Sequence, residues 1–369
     1  MRIQLEHLHK TAVDGSSFIR DLNLEIEEKE FVALVGPRGC GKSTVLRVIA
    51  GLEQIQSGAI SIDDRRVESL EPKDRHVSMI FSNSTLMPDM TVQENMAFRL
   101  KQRKIPKEEC LFMVREAAEL LGITHLLKKK PRALSPLETQ KVILGRAVAG
   151  KPRVLLLDDP YAALDEKLKL EMHFVVSLLF QQMDTTIVYS TNDPMTAMAL
   201  GTKIVVMDAG HVVQKDEPMA IYEQPGTLFA AELFGQPPIN VWDAKVIRED
   251  GQICLSVGKY ALPLPTKTAK LLEAKGYLEK EVIAAIRPEN IEDEEIVLET
   301  MQMWQVSAQV LVRQMLGAVA YLELRIGEMT MVASVNPRTA ASPGQKIKVV
   351  LDLRKILLFD KQSRTIVTK

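Results

Sequence analysis

A glycine-rich segment after a short apolar run constrains the fold of this chain more than any other feature. Residues 36–44 are GPRGCGKST and match G-x-x-x-x-G-K-[ST], a pattern in which successive backbone N–H groups curl around phosphate oxygens. Lys42 is placed to reach the β- and γ-phosphates of a nucleoside triphosphate, and Ser43 to bind Mg²⁺. The candidate nucleotide-binding residues are Gly36, Pro37, Arg38, Gly39, Cys40, Gly41, Lys42, Ser43 and Thr44.

The second half of such a site is an apolar strand that ends in an acidic residue. LLLDD at 155–159 has this form, and Asp158 is placed to hold Mg²⁺ through water. A glycine-rich turn or a buried strand also occurs without any bound nucleotide, so the prediction depends on finding both segments in one chain. Ser43 and Asp158 are the candidate metal ligands, and ATP and Mg²⁺ are the expected cofactors.

Strands and helices alternate over about the first 235 residues. The apolar runs are continuous, as expected for strands that are covered on both faces in an α/β sheet. The sequence predicts strands at 31–35, 77–81, 154–157 and 186–189, a hairpin of 204–207 with 212–214, and helices at 44–50, 107–127 and 168–183.

The character of the chain changes near residue 235. The Pro-rich segment GQPPIN occupies 235–240, and short strand-like pieces separated by turns follow it. With 369 residues the chain is long enough for two cores. We therefore expect an α/β domain at 1–235 and a small, barrel-like all-β domain at 240–369. Strands of the second domain are predicted at 252–257, 282–286, 307–312, 320–325 and 346–352.

Composition excludes several classes of protein. The formal net charge is -1, which gives no reason to expect nucleic acid as a partner. No apolar run approaches the roughly 20 residues that a membrane span requires. The N-terminal residues lack the apolar core of a signal peptide, and the three cysteines (Cys40, Cys110 and Cys254) are too widely spaced for a metal site or a disulfide framework. A cytosolic protein is expected, held at a membrane only through other proteins.

Several further segments resemble the ABC ATPase family. The chain has LSPLETQKVILGRAV at 134–148 where that family has its LSGGQ signature and the following helix. The segments 79–98 and 185–214 resemble the family's coupling loop and the region around its switch histidine. LFAAELFGQPPIN (228–240) and AAIRPENI (284–291) are similar to the carbohydrate-import branch. The resemblance covers nearly the whole chain.

This resemblance implies a fold and a set of partners. The fold is an α/β P-loop ABC ATPase core with a helical subdomain at about 84–148, followed by an OB-like (TOBE-type) regulatory domain. The chain would bind Mg·ATP and pair head to tail with a second ATPase subunit. It would drive two transmembrane permease subunits through a groove beside residues 80–95, and through them serve an extracytoplasmic sugar-binding protein. Its location would be peripheral, at the cytoplasmic face of the cell membrane.

The chain departs from the family pattern at the positions that act on water and on the opposite nucleotide. Ser82 stands where the family has a coupling-loop Gln, Asp159 where it has the general base Glu, and Asn192 where it has the switch His. Pro136 and Leu137 replace the two signature glycines, and Glu138 replaces the signature Gln. Proline has no N–H to offer a phosphate, and leucine does not readily adopt the conformations of glycine.

The departures predict ATP binding with very slow hydrolysis. Asp159, Asn192 and Ser82 are the degenerate counterparts of catalytic residues, whereas Ser135 and Glu138 would face a nucleotide on the opposite subunit. A mispositioned general base forfeits about 10²–10⁴-fold in rate, while binding depends mainly on the intact glycine-rich loop. The aromatic residue that stacks on adenine in the family has no counterpart around residues 11–13, and His9 is a weak substitute.

Three functions fit this combination. The first is the degenerate half of an ATPase heterodimer in a mono- or oligosaccharide importer, paired with a different chain whose motifs are intact. The second is a nucleotide-sensing regulatory or scaffolding pseudo-ATPase that takes no part in transport. The third is an active, homodimeric importer ATPase in which the replacements are tolerated.

Overall fold

The computed structural model describes residues 1–11 and 17–368, and of residues 17 and 18 only the backbone. Contacts divide the chain into two compact units, Met1–Pro218 and Met219–Lys369. None of the helices in the described part of the chain is both long and apolar enough to span a membrane.

The first unit combines two sheets with six helices among its described residues. Its strands are β1 (Ile3–Thr11), β2 (Ser17–Ile26), β3 (Phe31–Val35), β4 (Ser57–Ile62), β5 (Arg65–Arg66), β6 (Val77–Ile80), β7 (Val154–Asp158), β8 (Thr186–Thr191), β9 (Lys203–Asp208) and β10 (His211–Asp216). Its helices are α1 (Lys42–Ala50), α2 (Val92–Gln102), α3 (Lys107–Leu120), α4 (Pro136–Val148), α5 (Glu166–Gln182) and α6 (Pro194–Leu200).

The central sheet has the strand order β10-β9-β3-β8-β7-β6. Strand β3 runs parallel to β8 and β9, and β7 runs parallel to β6 and β8. Every residue of β3, β7 and β8 is buried, which confirms the prediction of strands covered on both faces. Because the carboxyl ends of parallel strands meet at one edge of the sheet, the segments that follow β3, β7 and β8 converge there.

A smaller antiparallel sheet with the order β2-β1-β4-β5 completes the strands of the first unit. The predicted hairpin is also confirmed, since β9 and β10 pair antiparallel, with His211 opposite Asp208.

Helices α2, α3 and α4 contact one another and share a hydrophobic cluster that includes Met96, Val114 and Ile143. The prediction of one helix over 107–127 is wrong in its last third. Helix α3 ends at Leu120 because Gly122 adopts a left-handed φ of 66°, and a short 3-10 turn at Thr124–Leu126 follows.

The second unit contains two five-stranded sheets. Its elements are α7 (Pro218–Glu223, which begins at the last residue of the first unit), α8 (Leu228–Leu233), β11 (Asn240–Glu249), β12 (Gln252–Val257), β13 (Tyr260–Pro263), α9 (Thr266–Ala274), β14 (Glu281–Ile286), β15 (Ile291–Glu292), α10 (Glu295–Thr300), β16 (Gln305–Met315), β17 (Ala320–Ile326), β18 (Met329–Val335), β19 (Lys346–Leu351) and β20 (Leu357–Asp360). The sheet orders are β13-β12-β11-β14-β20 and β15-β19-β16-β17-β18.

One hydrophobic core joins these two sheets, with Val246 from the first and Val306 and Leu322 from the second. The predicted barrel-like β fold is confirmed in this arrangement. The unit is not purely β, however, because α9 packs its fully buried Leu272 into the same core.

The division at Pro218 lies ahead of the boundary at 235 that the sequence suggested. The reason is that α7 and α8 contact the β domain. The guanidinium of Arg287, just after β14, donates hydrogen bonds to the carbonyl oxygens of Tyr222 (3.2 Å) and Phe234 (2.7 Å). Phe234 itself is fully buried. The helices therefore group with the C-terminal unit even though the Pro-rich segment lies beyond them.

Candidate functional site

The glycine-rich loop connects β3 to α1, as the sequence predicts. Gly36 follows β3 immediately, and a Cβ atom at this position would lie 2.1 Å from the carbonyl oxygen of Met207. Only glycine fits so close to a neighbouring backbone. Gly41 precedes α1 with a left-handed φ of 104°, so the loop turns sharply just before the helix begins.

The ammonium group of Lys42 lies inside this loop. Its Nζ donates hydrogen bonds to the carbonyl oxygens of Gly36 and Pro37, each at 2.7 Å. The Sγ of Cys40 is 3.6 Å from the same Nζ. Lys42 and Cys40 are both buried, so the loop holds a positive charge at the start of α1, where the helix dipole also favours an anion.

Ser43 and Asp158 meet at the edge of the central sheet. The hydroxyl of Ser43 donates to Asp158 Oδ1 at 2.7 Å, and the hydroxyl of Ser190, on β8, donates to the same oxygen at 2.8 Å. Asp158 is 5% exposed. A hydroxyl and a carboxylate are the hard oxygen ligands that Mg²⁺ prefers, usually together with water and substrate phosphates.

These groups line a cavity of about 390 Å³. The walls of the cavity are Arg38, Gly39, Gly41, Lys42, Ser43, Thr44, Ser82, Asp158, Asp159, Ala162, Ser190 and Asn192. The structure therefore brings most of the loop together with the predicted Ser82, Asp159 and Asn192. Gly36, Pro37 and Cys40 do not line the cavity but contact the ammonium group of Lys42.

Mg·ATP fits the groups that are present. The close approach of Gly36, the buried ammonium of Lys42 and the Ser43–Asp158 oxygen pair are the features that a triphosphate and its metal require. Among the described residues there is no group of three or more His, Cys, Asp or Glu side chains able to hold a metal alone. Bound Mg²⁺ would consequently depend on nucleotide and water oxygens as well as on the protein.

Asp159 and Asn192 lie side by side in the cavity wall. Asn192 Nδ2 donates to Asp159 Oδ2 at 3.2 Å, so the two replacements contact each other. Asp159 has a left-handed φ of 42°, which turns the chain directly after β7. Burial raises the pKa of the Asp159 carboxyl, and the neighbouring charge of Asp158 raises it further, whereas Lys42, Lys169 and Arg38 oppose the shift.

Ser135 and Glu138 do not line this cavity; they form the N-terminus of α4. The backbone N–H of Ser135 donates to Glu138 Oε2 at 2.7 Å, and the N–H of Glu138 donates to Ser135 Oγ at 3.3 Å. These reciprocal bonds are a capping box, with Pro136 in the first turn, where a missing N–H costs nothing. The hydrogen bonds from Ser135 lower the pKa of Glu138, so the loop carries a fixed negative charge.

Ser190 is the site residue that the sequence reasoning missed. It lies in strand β8 (TIVYST), where it is one of several hydroxyl side chains and gives little signal of its own, but the strand is adjacent to β7. His9 is absent from the cavity walls, and its ring lies 4.0 Å from Asp21 Oδ1. Residues 12 and 13, part of the segment searched for an adenine-stacking aromatic, lie outside the described residues.

Curated relatives match the chain over nearly its full length. The oligosaccharides import ATP-binding protein MsmX of Bacillus subtilis is 39% identical and covers 98% of both chains. The trehalose/maltose import ATP-binding protein MalK of Thermococcus litoralis is 40% identical and covers 93% of both. The chain belongs to the ABC transporter ATP-binding subunits of the carbohydrate-import branch.

Family models and solved structures agree with this assignment. The ABC transporter model matches residues 19–162, and the MalK OB fold domain model matches residues 235–291. CbiO1 of Clostridium perfringens, part of the ABC transporter complex cbiONQ, has a TM-score of 0.56 and 26% identity over 59% of this chain and 89% of its own. The ATP-binding cassette MJ0796, solved as a dimer with ADP and Pi, has a TM-score of 0.51 and 28% identity over 58% and 98%. The predicted ABC ATPase and OB-like folds are confirmed.

Proposed function

We propose that this ABC subunit binds Mg·ATP and couples closure of an ATPase dimer to the permease subunits of a mono- or oligosaccharide importer. The names of MsmX and MalK support the class of cargo. The observation that carries nucleotide binding is the joining of Lys42, Ser43 and Asp158 in one cavity. The protein would act peripherally at the cytoplasmic face of the membrane, with no role for nucleic acid.

Binding would use the protein groups that are already in place. The ammonium of Lys42 would exchange its loop carbonyls for phosphate oxygens, and the loop N–H groups would surround the triphosphate. Ser43 and Asp158 would hold Mg²⁺, which would neutralise phosphate charge when bound.

Hydrolysis at this site would be slow because the groups that aim and deprotonate water are altered. Asp159 is shorter than the family's Glu by one methylene, about 1.5 Å, and its carboxylate accepts a hydrogen bond from Asn192. The Asn192 amide donates a hydrogen bond to Asp159 but, unlike a histidine, cannot take up a proton at neutral pH. The Ser82 hydroxyl is too short to replace a glutamine. A displacement of about 1 Å can cost 10²-fold in rate.

In such a dimer each nucleotide would lie between the glycine-rich loop of one chain and the signature segment of the other. The site that this chain completes with its signature segment would also be weakened. The Ser135 N–H, which could otherwise bind a phosphate, is committed to Glu138, and the carboxylate adds a negative charge near any facing nucleotide. In a homodimer of this chain, both nucleotide sites would have the altered catalytic residues and the altered signature segment. We therefore favour a heterodimer with a different ATPase chain whose motifs are intact, serving two permeases and, through them, an extracytoplasmic sugar-binding protein.

Two measurements test this proposal. Equilibrium binding of Mg·ATP to the full chain should be lost in Lys42→Ala and kept in Lys151→Ala, which removes an exposed lysine paired with Glu116. Tagged protein purified from membranes should bring down two permeases and one different ATPase chain. Recovery of two copies of this chain with the permeases would contradict the heterodimer, and recovery of no permease would support the regulatory alternative.

A further inference from the structure

Four basic residues lie close together in the segment before α4. Residues 128–132 are KKKPR, and the side chains of Lys128, Lys129, Lys130 and Arg132 are all exposed. We call these four side chains the basic patch. None of them lines the nucleotide cavity, and none forms an ion pair or a side-chain hydrogen bond within the part of the chain that the structure describes. Their charges can therefore act on a partner outside this chain.

The backbone of the basic patch is held against the start of α2. The Val92 N–H donates to the carbonyl oxygen of Lys129 at 2.9 Å. The next N–H, of Gln93, donates to the carbonyl oxygen of Leu127 at 3.0 Å. Leu126, which precedes the patch, is fully buried. Because the backbone is fixed in this way, binding of a partner would cost only side-chain freedom.

The surroundings of the basic patch also carry a surplus of positive charge. Residues 84–148 contain twelve Lys and Arg but seven Asp and Glu, a net charge of +5, whereas the whole chain has -1. Hydrogen bonds from Thr91 lower the pKa of Glu94 on α2, and the charges of Lys101 and Lys130 lower it further. Cations from two segments thus act on this one carboxylate, which does not balance the patch.

The kind of cation indicates the kind of partner. The planar guanidinium of arginine recognises a single carboxylate or phosphate in a fixed geometry, whereas the ammonium of lysine is a compact, hydrated charge on a flexible stem. Three of the four residues in the basic patch are lysines. Such a group suits diffuse attraction to a surface with many negative charges, and clusters of four to eight Lys and Arg are typical of contacts with anionic lipids.

We propose that the basic patch contacts anionic lipid headgroups at the cytoplasmic face of the membrane. This inference rests on the proposed function, which brings the chain to that face through its protein partners. The lipid contact adds a second, weak attachment, and it forms readily because the first attachment already holds the patch at a high effective concentration near the lipid. Each basic residue close to an anionic surface strengthens binding about 5-fold, and salt weakens the attraction.

Vesicles without any permease test the lipid contact by itself. The full chain is mixed at low ionic strength with vesicles of phosphatidylcholine, alone or with phosphatidylglycerol, and the bound fraction is measured by sedimentation. We expect binding to the anionic vesicles only, and its loss at 1 M salt, where charges are screened beyond about 3 Å. Equal binding to neutral vesicles, or binding that salt does not weaken, would overturn the proposal. So would tighter binding to polyglutamate or single-stranded DNA at the same concentration of negative charge.

Substitutions then test whether the basic patch is the part of the chain that binds. Replacing its three lysines with Gln should weaken binding to anionic vesicles about 10²-fold. A matched control replaces three exposed lysines of the second unit, which changes the net charge equally, and should bind as the unaltered chain does. The two variants are Lys128→Gln, Lys129→Gln, Lys130→Gln and Lys267→Gln, Lys270→Gln, Lys348→Gln. Equal weakening in both variants would assign the binding to net charge and overturn the proposal.

The lipid contact and the proposed function can fail separately. Both variants should retain Mg·ATP as the unaltered chain does, which shows that they are folded. Because the vesicles contain no permease, failure of the unaltered chain to bind them would refute the lipid contact and leave the role in import intact. Binding to anionic vesicles by a chain that captures no permease from membranes would support the lipid contact and contradict the proposed function.

Discussion

Asp158 and Asp159 are neighbours at the end of β7, but their carboxylates have different surroundings. Asp158 accepts two short hydrogen bonds from serine hydroxyls, which hold its carboxylate in a fixed position. Asp159 is partly buried and accepts a longer hydrogen bond, of 3.2 Å, from Asn192 Nδ2, and burial raises its pKa. In the proposed function Asp158 would serve metal and nucleotide binding, whereas Asp159 would be too short to act as a general base.

Restoring the family's residues should recover hydrolysis. Asp159→Glu together with Asn192→His should raise the rate of phosphate release by the purified chain about 10²-fold, because a base regains its reach and its partner can carry a proton. Each substitution alone should raise the rate of phosphate release by less than additivity would predict, since the two side chains contact each other. Adding Lys42→Ala must abolish the gain. An unchanged rate in the double variant would show that another defect limits turnover.

The raised pKa of Asp159 has a consequence for stability. An acid whose folded pKa exceeds its unfolded pKa destabilises the fold when it is ionised, so its contribution worsens as pH rises through the folded pKa. Asp159→Asn should therefore melt at a higher temperature than the unaltered protein at pH 7. The difference should shrink as pH falls below the ordinary carboxyl range. A melting difference that stays constant between pH 3 and pH 7 would contradict this assignment.

The buried hydroxyl of Tyr161 is also expected to lower the free energy of unfolding. Its ring is 2% exposed, and its hydroxyl has no hydrogen-bond partner among the described residues. Tyr161→Phe removes the unpaired hydroxyl and should raise the free energy of unfolding by about 1 kcal/mol, as measured by denaturant titration. The matched control, Tyr277→Phe, removes a hydroxyl that donates to Asp360 Oδ2 at 2.9 Å and should lower stability. A loss of stability in both variants would imply a partner for Tyr161.

At the level of single elements, the signature segment of this chain forms a well-capped helix start. The sequence alone marks Pro136, Leu137 and Glu138 as losses for nucleotide binding. The structure adds that Ser135, Pro136 and Glu138 together fulfil the requirements of a helix N-terminus. The sequence analysis did not predict this capping role, because it compared the segment with LSGGQ only as a nucleotide-binding motif and not as the start of α4.

Restoring both glycines should therefore lower the stability of the protein and raise its ATPase activity. Pro136→Gly with Leu137→Gly loses the fixed φ of proline and adds backbone entropy in the unfolded chain, at a cost of about 1 kcal/mol for each glycine. The same variant should increase ATP turnover in the assembled complex, since position 136 gains an N–H and the freer backbone lets the N–H groups of both residues approach the facing nucleotide. Thermal unfolding and phosphate release by the complex measure the two effects. Higher stability without faster turnover would contradict this view of the segment.

Elements that are buried on both faces were predictable to within a residue or two. Strand β3 was expected at 31–35 and occupies Phe31–Val35, because only a fully covered strand is continuously apolar. Helix α3 was predicted too long, since the apolar spacing continues past the turn at Gly122. The Asp159–Asn192 contact joins segments that follow different strands, so their separate positions in the chain could not reveal it.

At the scale of the whole molecule, composition and motifs sufficed for the two folds, but the position of the division was less evident. Contacts place it at Pro218, because Arg287 ties Tyr222 and Phe234 to the β domain. The Pro-rich segment that suggested 235 is conspicuous in sequence but lies inside the second unit. Buried arginine contacts of this kind leave no pattern along the chain.

We expect the isolated chain to hold Mg·ATP but scarcely to hydrolyse it. A single-turnover experiment tests this most directly: excess purified protein is mixed with Mg·ATP labelled in the γ-phosphate, and bound label and free phosphate are followed together. We expect prompt retention of the label, and release of phosphate at least about 10²-fold more slowly than from the Asp159→Glu, Asn192→His variant. Failure to retain the label, or rapid release of phosphate from the unaltered chain, would contradict it.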